Sequence, residues 1–183
     1  MLDRYLIEHC SPTLASLKTA NLFSIDTSTS DNLKEEIASW NKELNPKGIE
    51  MILLKNEGSR ALIYLCRKKQ LAEDLSKPGA AEFMKKYGYE SIDVDYAIGV
   101  LKAKLAKNSN FPHEIGMFLG YPLEDVIGFI ENAGKKSKCV GCWKVYCNEC
   151  QAVKTFAKFE KCRNIYKDLW KNGRKVLQLT VAA

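Results

Sequence analysis

No apolar run in this 183-residue chain approaches the roughly 20 residues that a membrane-spanning helix needs. The opening MLDRYLIEHCSPT places acids and a histidine where a secretory leader requires a continuous apolar stretch, so a cytoplasmic protein is expected. Glycine and proline are sparse, at 11 and 5 residues, which excludes a collagen-like or linker-rich chain. There is no internal repeat, no low-complexity segment and no stretch long enough to separate two domains, so residues 1–183 are expected to form a single domain. A nucleophile elbow, a metalloprotease helix, a phosphate loop and a dinucleotide fingerprint are all missing, which removes the enzyme classes that carry such motifs. Histidine is scarce as well. His9 and His113 are the only side chains whose ordinary titration falls near neutrality.

What is present is globular composition, with 46% hydrophobic, 27% charged and 10% aromatic residues. A chain of this length buries about two thirds of its unfolded surface and needs neither disulfide nor metal to fold. The formal charge of +6 is concentrated near the C-terminus, where twelve basic residues between Lys135 and Lys175 face only Glu149, Glu160 and Asp168. That excess suits either a solvated helix face or a surface for an acidic partner; no nucleic-acid motif accompanies it. Seven cysteines in a chain without a leader read as reduced thiols.

Periodicity sketches the order of elements. Residues 1–10 read as a helix, after which Ser11 and Pro12 read as the entry to a second short helix, TLASLK. NLFSID alternates like a strand, and Ser30 or Asp31 can cap a helix that carries Leu33, Ile37, Trp40 and Leu44 on one face. EMILLK and ALIYLCR, separated by NEGSR, predict a β-hairpin. A helix from Gln70, broken at Lys77, Pro78 and Gly79, resumes through AAEFMKKYG. Ser91 then caps a helix with a stripe of Ile92, Tyr96, Gly99, Val100 and Ala103. FPHEIGMFLGYPLEDVIGFIENAG reads as two short helices flanking a turn at Gly120, Tyr121 and Pro122. VGCWKVY reads as a strand, and a long helix follows from Asn148 to Lys171 with Val153, Phe156, Phe159, Tyr166 and Leu169 inward. LQLTV reads as either a short strand or a loose tail. Hairpin-like strands interrupted by clustered helices predict an α+β fold: a small, mainly antiparallel sheet covered by helices, ending in a long C-terminal helix.

The densest ligand pattern is Cys139, Cys142, Cys147 and Cys150, spaced C-x2-C-x4-C-x2-C, which suits tetrahedral zinc or an iron–sulfur cluster; Cys162 is a distant further thiol. A strand through WKVY opposes that reading, because alternation sends Cys142 to the opposite side from Cys139 and Cys147. A second candidate is a thiol-dependent enzyme with Cys10 as nucleophile, His113 as base and Glu114 or Arg60 orienting the substrate. Arg60 sits in the hairpin turn, where a guanidinium and backbone amides can grip an anion. Phe111, Phe118, Tyr121 and Phe129 can line a flat pocket with His113, or simply pack.

HCSPTLASLKTANLFS, FPHEIGMFLGYPLEDVIGFIENAG and GCWKVYCNECQAVKTFAKFEKC together resemble an uncharacterised bacterial family, domain-of-unknown-function family 3793, over essentially the whole chain. The resemblance implies anaerobic Gram-positive relatives and brings no activity with it. Its pattern covers His9, Cys10, Pro12, Thr13 and Leu14, then Pro112, His113, Glu114, Gly116, Gly120, Tyr121 and Pro122, and finally Trp143 to Tyr146 and Cys162. Cys147 and Cys150 depart from it, which weakens a family-wide four-cysteine site. The expected function is therefore a small binding protein whose site joins the His9–Cys10 block to the Phe111–Pro122 block, with His9, Arg60, Phe118 and Tyr121 as ligand-binding candidates. The ligand is expected to be a metal ion such as zinc or iron, haem or another small redox cofactor. The alternatives are the Cys10–His113 enzyme and a regulatory module that presents the basic C-terminal helix to an acidic protein.

Overall fold

The computed structural model describes residues 2–28, 32–107 and 111–182. Its organising strand is β3 (Arg60–Cys66), RALIYLC, an apolar run without alternation, as expected of a strand covered on both faces. β3 lies at the centre of a three-stranded antiparallel sheet, between β1 (Ala20–Asp26) and β2 (Glu50–Glu57). The expected hairpin forms, pairing Glu57 with Arg60 and leaving Gly58 and Ser59 as its two-residue turn; Gly58 has φ 56°, a left-handed value glycine adopts without cost.

Both faces of the sheet carry a layer of helices. Leu54, Tyr64 and Cys66 point into the layer that contains α3 (Lys68–Leu75), α4 (Ala80–Lys86), α5 (Val94–Lys107), α6 (Ile115–Phe118) and α7 (Leu123–Glu131). Phe23, Ile25, Met51, Ile63 and Leu65 point into the other, built from α1 (Leu2–Leu14), α2 (Leu33–Leu44) and α9 (Val176–Leu179), with Tyr166 and Trp170 of α8 (Glu149–Lys171) packed against it. A second, two-stranded sheet of β4 (Cys139–Val140) and β5 (Lys144–Val145) precedes α8. The fold is α+β, with the small antiparallel sheet and long C-terminal helix expected from the sequence. Among the described residues no helix is long and apolar enough to cross a membrane.

Several local expectations are corrected. Ser11 and Pro12 do not restart the chain: α1 runs on through them to Leu14. Pro12 lies in the last turn, where its missing N–H forfeits one bond, while the Ser11 hydroxyl donates to the Ile7 carbonyl and the Pro12 carbonyl accepts from the amides of Leu17 and Lys18. TLASLK is consequently the end of α1 and a turn. α5 is capped by Asp93, whose Oδ1 accepts from the Tyr96 amide at 2.9 Å, while Ser91 supports Asp93 itself. Its inward stripe is Ala97, Ile98, Leu101 and Leu105, and Tyr96 is exposed. VGCWKVY is a hairpin, because the Gly141 amide bonds the Trp143 carbonyl at 3.0 Å and reverses the chain. In α8, Ala152, Phe159 and Cys162 are buried whereas Val153 and Leu169 are exposed. LQLTV contributes to α9, where the Lys175 amide donates to Gln178 Oε1 at 2.9 Å. The proposed Ser30 or Asp31 cap lies outside the described residues.

Candidate ligand clefts around Tyr121 and Trp143

The turn between α6 and α7 is built on glycines that nothing larger can replace without displacement. A Cβ on Gly116 would stand 2.7 Å from Val126, and one on Gly120, which also has φ 71°, would stand 2.6 Å from the Thr19 hydroxyl. This tight turn throws Tyr121 outward between three parts of the chain. Its ring stacks on Trp143 at 5.0 Å between centroids, and its hydroxyl donates to the Cys142 carbonyl at 3.1 Å. Trp143 meets Phe156 of α8 edge-on at 4.6 Å, and Gly141 leaves room for the same ring.

Asp125, on the first turn of α7 and only 2% exposed, fixes the hairpin to this turn. One carboxylate oxygen accepts from Trp143 Nε1 at 2.7 Å, and the other accepts from the amides of Tyr146 and Cys147 at 2.7 and 2.9 Å. Burial pushes its pKa up, but those donors outweigh burial and hold the carboxyl below its ordinary range.

Two clefts share the Tyr121 wall. The first, of ≈ 310 Å³, is apolar: Phe111, Ile115, Val126, Phe129 and Trp143 line it, with His113 and Lys144 as its basic groups. His113 packs on Phe129 at 5.2 Å, and Lys144 donates to the Gly134 carbonyl at 2.7 Å. The second, of ≈ 330 Å³, is polar and is lined by Glu8, His9, Lys18, Asn21, Tyr121, Cys142 and Arg163, among others. This second cleft brings His9 together with Tyr121, Cys142 and Arg163, whereas Phe111 and His113 of the same block line the first cleft.

The remaining candidates lie elsewhere. Cys10 is fully buried among the apolar residues of α1, and burial pushes its thiol well above the ordinary value. A thiol without exposed surface, held protonated, is a packing group in this fold, and the pairing with His113 as nucleophile and base finds no support in its placement. Glu114 is 4% exposed and accepts from Lys104 Nζ at 2.6 Å and from the Tyr89 hydroxyl at 3.3 Å, so its charge is spent inside the helical layer. Phe118 is a fully buried core residue against Tyr89. Arg60 is exposed at the tip of the β2–β3 hairpin, near Asp26.

Among the described residues no group of three or more His, Cys, Asp or Glu side chains could hold a metal ion. Cys139, Cys142, Cys147 and Cys150 are separated by a hairpin that the Asp125 hydrogen bonds and aromatic packing organise. Burial, then the carboxylates of Glu149 and Asp125, push Cys139 up, and burial with the Asp125 hydrogen bond does the same to Cys147. Sequence reasoning missed Lys18, Asp125 and Arg163. Asp125 is one of two adjacent acids in the first turn of α7, Lys18 lies in a stretch read as helix, and Arg163 is one cation among many on α8, so no local pattern singles them out.

Fold and site together define a small α+β protein with an apolar and a polar cleft divided by one aromatic wall. The chain belongs to the family described as protein of unknown function DUF3793, whose model matches residues 6–180 and so spans both clefts. No curated protein and no solved structure matches the chain.

Proposed function

We propose that the protein is a cytoplasmic small-molecule binding protein that takes a planar, largely apolar ligand of one or two rings in the cleft beneath Trp143, with His113 and Lys144 addressing a polar group at its edge. The observation that carries this reading is the lining itself: a ≈ 310 Å³ cavity walled by Phe111, Ile115, Val126, Phe129 and Trp143. Ligand sites are typically concave, mainly apolar and supplied with a few oriented polar groups. The volume lies at the small end of the usual ~300–1,000 Å³ range, which suits a compact ring system better than haem. Asp125 borders the cavity, but both its oxygens are engaged by the hairpin, so selectivity falls to His113 and Lys144. Seven free cysteines suit a reducing compartment.

The two histidines make a direct test. Neutral indole is titrated into the protein while the ring signals of both are followed by NMR. The His113 signals should shift saturably with Kd roughly 0.1–1 mM, the affinity expected of a small apolar ring in a preformed cavity, while His9 stays still. An unmoved His113 at saturating indole overturns the reading.

A further inference from the structure

We propose that the polar cleft on the other side of Tyr121 is an oxyanion site that receives the phosphate or carboxylate group of a small molecule, independently of the apolar cavity. The ground is charge without compensation. Lys18 is only 8% exposed, yet among the described residues no carboxylate lies within ion-pair distance of it; its ammonium donates to the Ala20 carbonyl and stands 5.3 Å from the centre of the Tyr121 ring. Arg163 faces the same cleft, and among the described residues its guanidinium donates to the Cys142 sulfur, at 4.0 Å. The nearby acids are Glu8 in the cleft wall and Asp74, whose charge reaches Lys18 without an ion-pair contact, and each holds another cation. Glu8 pairs with Arg4 at 2.8 Å, and Asp74 pairs with Lys77 at 2.6 Å and accepts from the Thr19 hydroxyl. A buried cation without a countercharge is costly, and an oxyanion in the cleft would supply that countercharge. Burial also lowers the Lys18 pKa to about 8, because desolvation disfavours the ammonium.

The remaining groups complete the donor set. Asn21 uses its side-chain oxygen to accept from Thr13 at 2.7 Å, and its amide nitrogen donates in none of the described hydrogen bonds. His9 lines the opposite wall, stacked against Tyr5 and Phe23 at 6.0 Å. Lys18, Arg163, Asn21 and His9 thus present N–H donors to one ≈ 330 Å³ cleft, ample for a phosphate or carboxylate and part of the molecule that carries it.

The test uses the full chain and follows both histidines by NMR while inorganic phosphate, or acetate in a parallel series, is added at fixed pH against sodium chloride of equal ionic strength. Either oxyanion should move the His9 ring signals saturably and leave His113 in place; the more effective of the two identifies a phosphate- or carboxylate-bearing ligand. Arg163→Gln should raise the midpoint at least fivefold while the thermal transition stays cooperative. Should His9 respond to neither oxyanion beyond the chloride control, or should Arg163→Gln leave the midpoint unchanged, the proposal fails. Because indole reports through His113 and oxyanions through His9, failure here is distinguishable from failure of the apolar-ligand reading.

Discussion

Asp125 concentrates, in one side chain, the reason the apolar cleft has a fixed wall. Its carboxylate receives three N–H donors from the β4–β5 hairpin, two of them backbone amides that have no strand partner. Replacing it with Asn retains shape but offers one acceptor oxygen where two are used, and turns an NH₂ toward N–H groups. Leaving buried donors unpaired costs about 1–3 kcal/mol each, so Asp125→Asn should lower stability by roughly 2–4 kcal/mol. The pH dependence has a definite sign. With its folded pKa depressed below the unfolded value of about 3.9, the carboxylate contributes stability that is fully present above that value and is lost as pH falls through the folded one. Urea unfolding followed from neutral pH down to about pH 3 should therefore show a shallower acid-side decline in Asp125→Asn than in the wild type. Equal slopes would remove the carboxylate from this role.

At the scale of elements, the hairpin reaches α7 through a glycine. A Cβ on Gly128 would stand 2.5 Å from the Tyr146 ring, so the ring lies directly on the helix backbone. Alanine is favoured over glycine inside a helix by about 1 kcal/mol, whereas forcing a methyl into packed space costs about 1–3 kcal/mol. Overpacking should win. Gly128→Ala is expected to destabilise by about 1–2 kcal/mol, a Tm decrease of roughly 2–8 °C, and to weaken indole binding because Trp143 moves with the hairpin. A variant as stable as the wild type, with unchanged indole affinity, would show that Tyr146 accommodates the methyl freely. The same region shows what was legible in the sequence. The β2–β3 hairpin could be read because its turn chemistry and apolar runs are local, and α7 because Pro122 precedes it and Gly134 follows shortly after its end. VGCWKVY misled because Trp, Val and Tyr have strand propensity, while the reversal at Gly141 depends on Phe156 and Asp125, both distant in sequence. Likewise His9 and Tyr121 could be named as candidates, but their meeting with Arg163 rests on the packing of α1 against α8, a tertiary arrangement no local pattern encodes.

For the molecule as a whole, Arg67 ties the central strand to the helical layer of α1 and α9. It immediately follows β3, is 2% exposed, and its guanidinium donates to the carbonyls of Thr13 at 2.7 Å, Leu14 at 2.9 Å and Val181 at 2.7 Å, with a longer contact to Lys47 at 3.4 Å. One side chain therefore joins the end of the central strand, the C-terminal end of α1 and the tail that follows α9. Among the described residues no carboxylate forms an ion pair with it, so carbonyl dipoles, including the negative end of α1, solvate the charge. Replacing a buried ion pair by apolar residues is often harmless because both charges leave together, but here the partners are main-chain carbonyls that cannot leave. Arg67→Met should strand those nearest α1 and cost about 3–5 kcal/mol, whereas Arg67→Lys, which keeps the charge but cannot span three carbonyls, should cost about half as much. The variants separate in thermal unfolding, with Tm decreases of roughly 6–20 °C for Met and 3–10 °C for Lys. Hydrogen exchange supplies the spatial readout. The Val181 amide, bonded to the Leu14 carbonyl at 3.0 Å, should lose protection in Arg67→Met while amides in the middle of β3 keep theirs relative to global stability. If Val181 remained as protected as those β3 amides, the tail would be held by α9 packing alone, and Arg67 would stabilise β3 without joining it to the tail.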